Sequence, residues 1–495
     1  MIITLKQKGI DLRGISFDTM IAAHLLNPNR SDNSLESIVV EYLGVMKNSM
    51  KDIKGDEDIE DVALHACEDV ASVFKLKEIL SDLLVEEELE ELFNSIEMPL
   101  ISVLAQMELW GIRVIKPMLK EISKELSDEL KEVEKGIFSL AKCSFNINSP
   151  KQLQEVLFKK IGLKPIKKTK TGYSTSTEVL QQLSLEHPLP AEILRYRTLS
   201  KLKNTYVDTL PNFIDPKTGR IHPTFNQCAT ATGRLSMSEP NLQNIPVRGE
   251  WAFKIRRAFV PEDGCLFISS DYSQIELRIL AHMSRDESLI DAFRAGVDIH
   301  RKTASDLFGI APENITEEMR RKAKTVNFGI IYGMSPHGLS QQLNISHKEA
   351  KEYIDRFLST REGVRYYIES IKREASEKGY VKTLFGRRRP IPEINHPNAN
   401  IRQQGERLAI NTPIQGSAAD IIKKAMLNIA DRIRREGMES RMLLQVHDEL
   451  LLEVPHKEVD IAKSMLKEEM EGAVQLLVPL KVDISVGKNW AETHK

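Results

Sequence analysis

The sequence is short of several things, and each absence closes off a class of protein. Its 495 residues hold only four cysteines, Cys67, Cys143, Cys228 and Cys265, far apart and with no CxxC pair. That disfavours a disulfide framework and a structural zinc site, and it suits a reducing compartment. No stretch approaches the roughly 18–20 apolar residues that span a bilayer. The opening MIITLKQKG has too short an apolar run for a secretory signal. There is no GxxxxGK(S/T) loop and no GxGxxG after a strand, so ATPase and dinucleotide-binding readings have no anchor. No internal repeat with a period of 20–50 residues is visible. Net charge is also nearly lacking, at −2.

What is present is ordinary globular usage, with 41% hydrophobic and 28% charged residues, in a chain long enough for about three domains. The small net charge conceals an asymmetry. Residues 1–98 carry 9 Lys and Arg against 21 Asp and Glu, whereas the remainder carries 60 against 50. An acidic first fifth followed by a basic remainder suggests different jobs, and the basic part could face a polyanion. A chance fluctuation on a solvated surface would look the same.

Helical periodicity marks SFDTMIAAHLL and HACEDVASVFKLKEIL, with the polar KNSMKDIKGDEDIED between them expected to be a loop. SIEMPLISVLAQMELWGIRV reads as a helix ending at Gly111 and followed by a short strand. KPMLKEISKELSDELKEVEKGIFSLA is a long amphipathic helix rich in i,i+4 charge pairs. Ser149 before Pro150 is an N-cap with proline at the first helical position. KKTKTGYSTS, inside a stretch of seven lysines and one glutamate from Lys151 to Thr171, should be an exposed loop.

Five segments carry chemistry. In CLFISSDYSQIELRILAHMS an apolar, β-compatible run gives way to helical periodicity near Ile275. Asp271 therefore sits where a strand ends, a rigid and solvent-open place suited to a metal ligand, although a helix-capping aspartate would also fit. In RMLLQVHDELLLEVP two strand-like runs flank His447-Asp448-Glu449, which reads as a hairpin with an acidic tip or a plain polar turn. A metal-dependent phosphohydrolase could use such a His-Asp pair, but no convincing set of further ligands follows. In RRKAKTVNFGIIYG, Arg320, Lys324, Phe328 and Tyr332 recur every four residues. Each step advances about 400° around a helix, giving a slowly drifting stripe about 18 Å long. Cation, cation, ring, ring matches a nucleoside triphosphate laid along it, and equally an amphipathic helix with snorkelling basic residues. Gly329 and Gly333 lower helix propensity and hint at close approach of a ligand or backbone. TATGRLSMSEPNLQNIPVR is loop-like and dense in groups that can hydrogen-bond phosphates or minor-groove acceptors. In GERLAINTPIQGSAADIIKKAM, Arg407, Asn411 and Gln415 repeat every four residues, with Pro413 expected to kink or start a helix.

Taken together and in this order, the segments KLKNTYVDTLP, TATGRLS, DYSQIELR, RRKAKTVNFGIIYG, GYVKTLFGRRR, TPIQGSAADIIK and QVHDEL resemble the family A DNA polymerases, and among them the bacterial large fragments. The resemblance runs from about residue 96 to the C-terminus. It implies a mixed α/β, right-hand fold: palm over 96–116, 221–280 and 401–495, thumb over 117–220 and fingers over 281–400. It also implies extension of a primer 3′-hydroxyl with dNTPs on template DNA, by a monomeric cytoplasmic, nucleoid-associated enzyme. Asp271 and Asp448 then match the palm aspartates that hold two Mg²⁺ ions, which Mn²⁺ could replace, with the Tyr272 carbonyl assisting and Glu449 a weaker candidate. Arg320, Lys324 and His300 match triphosphate contacts, and Lys324 matches the proton donor to pyrophosphate. Phe328 matches the ring on the deoxyribose and Tyr332 the ring at the templating position. Glu276 matches the side chain that crowds a 2′-hydroxyl, and Gln274 is grouped with these nucleotide contacts. Arg234, Asn241, Gln243, Arg407, Asn411, Gln415 and His447 match positions along the primer–template minor groove. The same residues would serve an enzyme preferring RNA templates, and a DNA-binding module with a dead site or an exonuclease are weaker alternatives.

The resemblance weakens toward the N-terminus. Residues 1–95 are similar to the later part of an RNase H-like 3′–5′ proofreading domain. Asp18 and Asp69 match two of its four metal carboxylates, the Asp-x-Glu pair has no counterpart, and His65 stands where a tyrosine is usual. Half a two-metal site should not hold both ions, so proofreading is expected to be absent, as is the family's 5′-nuclease domain. Arg361-Glu362 replaces an aromatic followed by Pro, a change expected to alter only a fingers turn.

Phenylalanine at 328 lacks a hydroxyl that could stand in for a missing sugar 3′-hydroxyl. Phe328→Tyr should therefore relax discrimination against dideoxynucleotides. Unchanged ratios of dideoxy to deoxy incorporation in primer extension would refute this.

Overall fold

The computed structural model describes residues 2–46, 59–169 and 172–494 of a mixed α/β protein. Most of the loop expected over residues 47–61 lies outside the described residues. The chain forms two compact units, one of residues 1–110, 223–243 and 264–486, the other of 111–222, 244–263 and 487–495. This division is coarser than palm, fingers and thumb. Segments 244–263 and 487–495, grouped with the palm from sequence, pack with 111–222.

In the first unit α1 (Thr19–Leu26) begins at Asp18, whose carboxylate accepts the Met20 and Ile21 amides at 2.9 and 3.1 Å. With α2 (Ile59–Glu86) and the segment before α3 (Met98–Trp110), it closes a core of Ile21, Leu25, Leu76, Leu80, Leu84 and Phe93. The site is built from β1 (Cys265–Tyr272), α4 (Ile275–Ser284), α5 (Ile299–Phe308), α6 (Glu317–Ile331), α7 (Glu362–Lys378), α8 (Ala399–Glu436), β2 (Arg441–Val446), β3 (Glu449–Pro455), α9 (Val459–Glu471) and β4 (Val482–Gly487). The four strands lie in the order β2-β3-β1-β4, with β3 antiparallel to both neighbours. Burial along β1, β2 and β3 is continuous rather than alternating, because α9 covers β1 and β3 while α3 packs on β2.

Two expectations need correction here. Pro413 does not start a helix. It lies inside the 38-residue α8, which begins after its Asn398 cap, and the Ser417 hydroxyl donates to the Pro413 carbonyl at 2.6 Å. The lysine-rich KKTKTGYSTS is not wholly loop, since Lys168–Thr169 pairs with Gly172–Tyr173 as a small hairpin in the second unit. Elsewhere in that unit the helix Lys116–Ala141 and the Ser149 cap appear as the sequence predicts. Trp490 is fully buried beneath the Arg256 guanidinium, 4.0 Å from its ring centre, with Phe259 edge-on at 5.3 Å.

A fully buried charge cluster ties the first unit together across nearly its whole sequence. Glu97 accepts from Lys423 at 2.6 Å, from Gln227 at 2.8 Å and from Arg387, while Asp420 takes the other edge of Arg387 at 2.7 and 2.9 Å and the Thr383 hydroxyl at 2.8 Å. Two cations face two anions, so charges expensive to bury are compensated in place. Burial works to raise the Glu97 carboxyl, but Lys423 and Arg387 override it and hold it down at about 2. Glu97→Ala leaves two buried cations facing the single carboxylate of Asp420 and should cost about 3–5 kcal/mol at neutral pH. A carboxyl depressed by folding stabilises above its unfolded value of 4.5 and loses that effect as pH falls toward 2. Urea unfolding should therefore show the gap between variant and wild type narrowing over that interval.

Candidate active site

The site starts from strand register. β1 and β3 pair so that Asp271 lies opposite Glu449 and Ser270 opposite Leu450. One residue earlier, Val446 pairs with Glu449 across a two-residue turn of His447 and Asp448. His447 takes φ +56°, a left-handed value unusual for a non-glycine residue. The Tyr272 amide donates to the Asp448 carbonyl at 3.1 Å, which sets the tip of the hairpin beside the end of β1. Two carboxylates 177 positions apart in the chain are thus brought to one sheet edge.

Asp271 belongs to the strand itself, so the capping alternative fails. The residue before α4 is Gln274, also left-handed at φ +56°, and its side chain makes no cap bond. Asp271 is open to solvent on one side, and Asp448 is half-buried. The Asp271 carboxyl is pushed up to about 7 by surrounding protein first and then by the negative charges of Asp448, Glu449 and Asp483. Asp448 is raised by burial, with Arg234 and His447 pulling the other way. Asp483, on β4 beside β1, was missed in the sequence. Its only signal there is an acidic residue in a C-terminal strand, and nothing local links it to Asp271. Glu449 is buried and accepts the Ser269 hydroxyl at 2.7 Å, which ties it down within the sheet.

These crowded carboxylates fit a divalent cation. They are hard oxygen donors with too little counter-charge, and a cation would offset both the burial and the repulsion that raise the Asp271 carboxyl. Among the described residues no group of three or more His, Cys, Asp or Glu side chains could hold a metal by itself. Any ion at Asp271 and Asp448 would therefore need further oxygens from backbone, water or a bound phosphate.

Beside them opens a cavity of about 400 Å³, lined by Asp448, His447, Arg234, Gln274 and Glu276 on one side and by His300, Arg320, Lys324, Phe328 and Tyr332 on the other. Arg320, Lys324 and Phe328 lie on α6 as the spacing predicts. Tyr332 does not continue the helix. It occupies the C-terminal cap, before Gly333 at φ +59°, and its ring stacks on Phe328 at 6.2 Å and 26°. A side chain at Gly333 would come 3.1 Å from the Arg407 Cα, so this glycine serves close backbone approach, one of the two reasons expected. Gly329 meets nothing closer than 3.6 Å.

Several of these groups are partnered within the chain. The Tyr332 hydroxyl donates to Glu276 at 3.1 Å, and Arg234 donates to the other oxygen of Glu276 at 2.7 Å. Arg320 donates to Asp298 at 2.7 Å, and Asp298 also caps α5 through the His300 and Arg301 amides. Lys324 makes no ion pair with a described residue and lies 5.9 Å from the Phe328 ring centre. His300 is buried, and burial pushes its imidazole down to about 4, so it is neutral at pH 7. Its Nδ1 is 2.9 Å from the Asn327 amide nitrogen.

Of the positions matched to a minor groove, Arg234 and His447 line the cavity itself. Arg407, Asn411 and Gln415 follow one another along α8, with Arg407 exposed and the other two half-buried. Gln243 donates to the Gln445 carbonyl at 3.2 Å, while Asn241 Oδ1 is buried without a hydrogen-bond partner among the described residues. Arg361 is a correction. It does not merely turn the chain. It is completely buried and hydrogen-bonded to Thr303 and Asp306 on α5.

Comparison with known proteins agrees with this geometry. A model of DNA polymerase family A matches residues 116–492, and a model of the ribonuclease H-like domain of DNA polymerase I matches residues 1–59. DNA polymerase I of Geobacillus stearothermophilus is 48% identical over 495 residues, and that of Bacillus subtilis (strain 168) is 47% identical over 498. Each alignment takes in 99% of this chain and 56% of the relative, so the chain spans a little over half the length of these proteins. A solved structure, the POL domain of Pol1 from M. smegmatis in complex with DNA primer–template and dNTP, superposes with a TM-score of 0.93 at 41% identity. It covers 99% of this chain and 84% of that one.

The carboxylate crowding has a measurable cost. A carboxyl raised by folding favours the folded state at low pH and opposes it once both states are ionised. Asp271→Asn should therefore raise the metal-free melting temperature at pH 8 by about a degree or two, with the gain vanishing toward pH 4. Equal melting temperatures at pH 8 would show that the repulsion is already neutralised.

Proposed function

The chain belongs to DNA polymerase family A, and on that premise we propose that it is a DNA-directed DNA polymerase. It extends the 3′-hydroxyl of a primer paired to template DNA with dNTPs and releases pyrophosphate. The observation that carries the reading is the cavity in which Asp448 faces Arg320, Lys324 and His300, with two stacked rings at its end. Anion-binding groups, the Asp448 carboxylate and an aromatic platform converge on a space of nucleotide size.

The triphosphate lies against Arg320, Lys324 and the His300 ring. Arg320 must share or leave Asp298 to grip it, so binding exchanges one charge-assisted bond for another. Lys324, already free of ion pairing with described residues, is placed to donate a proton to departing pyrophosphate. Phe328 packs on the sugar, and Tyr332 holds the templating position. Glu276, kept in place by Arg234 and Tyr332, fills the space a ribose 2′-hydroxyl would need. A ribonucleotide then meets both a clash and an unpaired polar group. Arg234, Asn241, Gln243, Arg407, Asn411, Gln415 and His447 contact the primer–template minor groove, whose acceptors hardly vary among correct pairs.

Asp271, Asp448 and the Tyr272 carbonyl would hold two Mg²⁺ ions, which Mn²⁺ can replace. Bound there, such ions acidify the primer hydroxyl and neutralise charge on the attacking and leaving oxygens. The protein acts as a monomer without membrane attachment. Among the described residues no helix is long and apolar enough to cross a membrane. The Asp18 carboxylate is occupied in capping α1, which leaves it unavailable to a proofreading metal ion, and proofreading is not part of the proposed activity.

Primer extension with wild type beside Asp448→Ala tests the reading. Removal of one ligand should lower incorporation by several orders of magnitude, given the share of transition-state charge stabilisation it supports. DNA binding without incorporation by the wild type would instead favour a binding module.

A further inference from the structure

The departure at Arg361 leads from the start of α7 to the cavity through buried polar groups. Arg361, Thr303 and Asn327 are each 0% exposed, and His300 is 3% exposed. Arg361 Nη2 donates to Asp306 Oδ2 at 2.9 Å and to the Thr303 hydroxyl at 3.0 Å, and Nη1 donates to the Thr360 hydroxyl at 2.9 Å. The Thr303 hydroxyl donates to Asn327 Oδ1 at 3.0 Å, and the Asn327 amide nitrogen lies 2.9 Å from His300 Nδ1. His300 borders the cavity with Arg320 and Lys324.

The order of these groups gives the chain a direction. A guanidinium can only donate. Thr303 receives from it, and its own hydroxyl donates to Asn327 Oδ1. The Asn327 carbonyl oxygen is then an acceptor, which leaves its NH₂ toward His300. Nδ1 must accept, and the ring proton must sit on Nε2. We propose that Arg361 is a positioning residue that, through Thr303 and Asn327, fixes His300 as the Nε2–H tautomer and so presents a donor to the phosphates of the incoming nucleotide. Without a donor-only group at its far end, the relay can reverse: Asn327 flips, Nδ1 takes the proton, and Nε2 meets the phosphates as a lone pair. Asp306 holds the same Nη2 that donates to Thr303. The inference rests on the nucleotide-binding reading of the cavity, but the tautomer is a property of the free protein.

The test uses the whole chain with nitrogen-15-labelled histidine, the His300 signals being assigned by their loss in His300→Ala. Wild type should show one Nε2–H tautomer at His300. Arg361→Met and Thr303→Val should lose it and raise KM for dNTP roughly tenfold, with kcat nearly unchanged, as expected for a weakened hydrogen bond to a charged group. Arg361→Lys, which keeps a donor-only cation, should restore both readouts. A wild-type ring protonated on Nδ1, or Arg361→Met with unaltered ring signals and KM, would overturn the proposal. So would equal losses of kcat and melting temperature in the Met and Lys variants with the ring signals intact, since that pattern marks a purely structural arginine. A wild type that incorporates no nucleotide would sink the proposed function and leave the ring signals to decide the relay.

Discussion

Everything at the site hangs from the antiparallel register of β1 and β3. A slip of one residue would turn every side chain of β1 to the opposite face and exchange Asp271 for Ser270 or Tyr272 opposite Glu449. The register is held from both sides. Buried apolar residues along the two strands fix it by packing, and the Tyr272 amide bonded to the Asp448 carbonyl fixes it at the open end. The two left-handed, non-glycine residues of the region, Gln274 and His447, flank this end of the sheet. Such conformations cost roughly 1–3 kcal/mol and persist only where the surroundings over-determine them. Here they sit where a strand must turn sharply into a helix and a hairpin must turn within two residues.

Across the cavity the electrostatic balance is arranged in opposition. Carboxylates of β1, the hairpin and β4 crowd one another without enough positive charge. The cations of α6 face them from a different element, and Arg320 is committed to Asp298. The protein therefore stores unfavourable charge on one wall and spare or weakly committed donors on the other. A ligand carrying both anionic phosphates and divalent cations satisfies the two walls together, whereas either component alone satisfies only one. This accounts for the elevated Asp271 carboxyl without invoking proton-transfer chemistry at that residue. Its pKa is displaced by burial first and by the charges of Asp448, Glu449 and Asp483 next, and a cation bound beside it would bring it down.

Much of this was legible from sequence, for a physical reason. Asp271, Asp448 and the α6 stripe are local patterns, in which a few neighbouring residues determine strand, turn or helix. Tyr332 was placed on the stripe and does line the cavity, but the helix ends before it, because spacing does not register where a helix yields to a cap, and Gly333 decides that. Asp483 and the Glu97–Arg387–Lys423–Asp420 cluster escaped because their partners are far away in the chain. Glu97 meets residues 290 and 326 positions later. No periodicity spans such distances, and each residue alone resembles an ordinary surface charge. The helix start offered at Pro413 fails because helix breaking is a local penalty, and a 38-residue helix packed on several elements runs through it.

Arg361 shows where family likeness misleads. A residue that departs from a shared pattern far from the reacting atoms invites dismissal as loop drift, and its sequence neighbours support that view. Burial changes the judgement. A guanidinium with no solvent contact must find acceptors, and the nearest are Asp306, Thr303 and Thr360. From Thr303 the observed hydrogen bonds run on through Asn327 to the imidazole on the cavity wall. A donor-only group buried at the end of a hydrogen-bonded row differs in kind from an apolar one of similar volume, because it orders protons as well as filling space. The difference is invisible to any comparison that scores position 361 by packing alone.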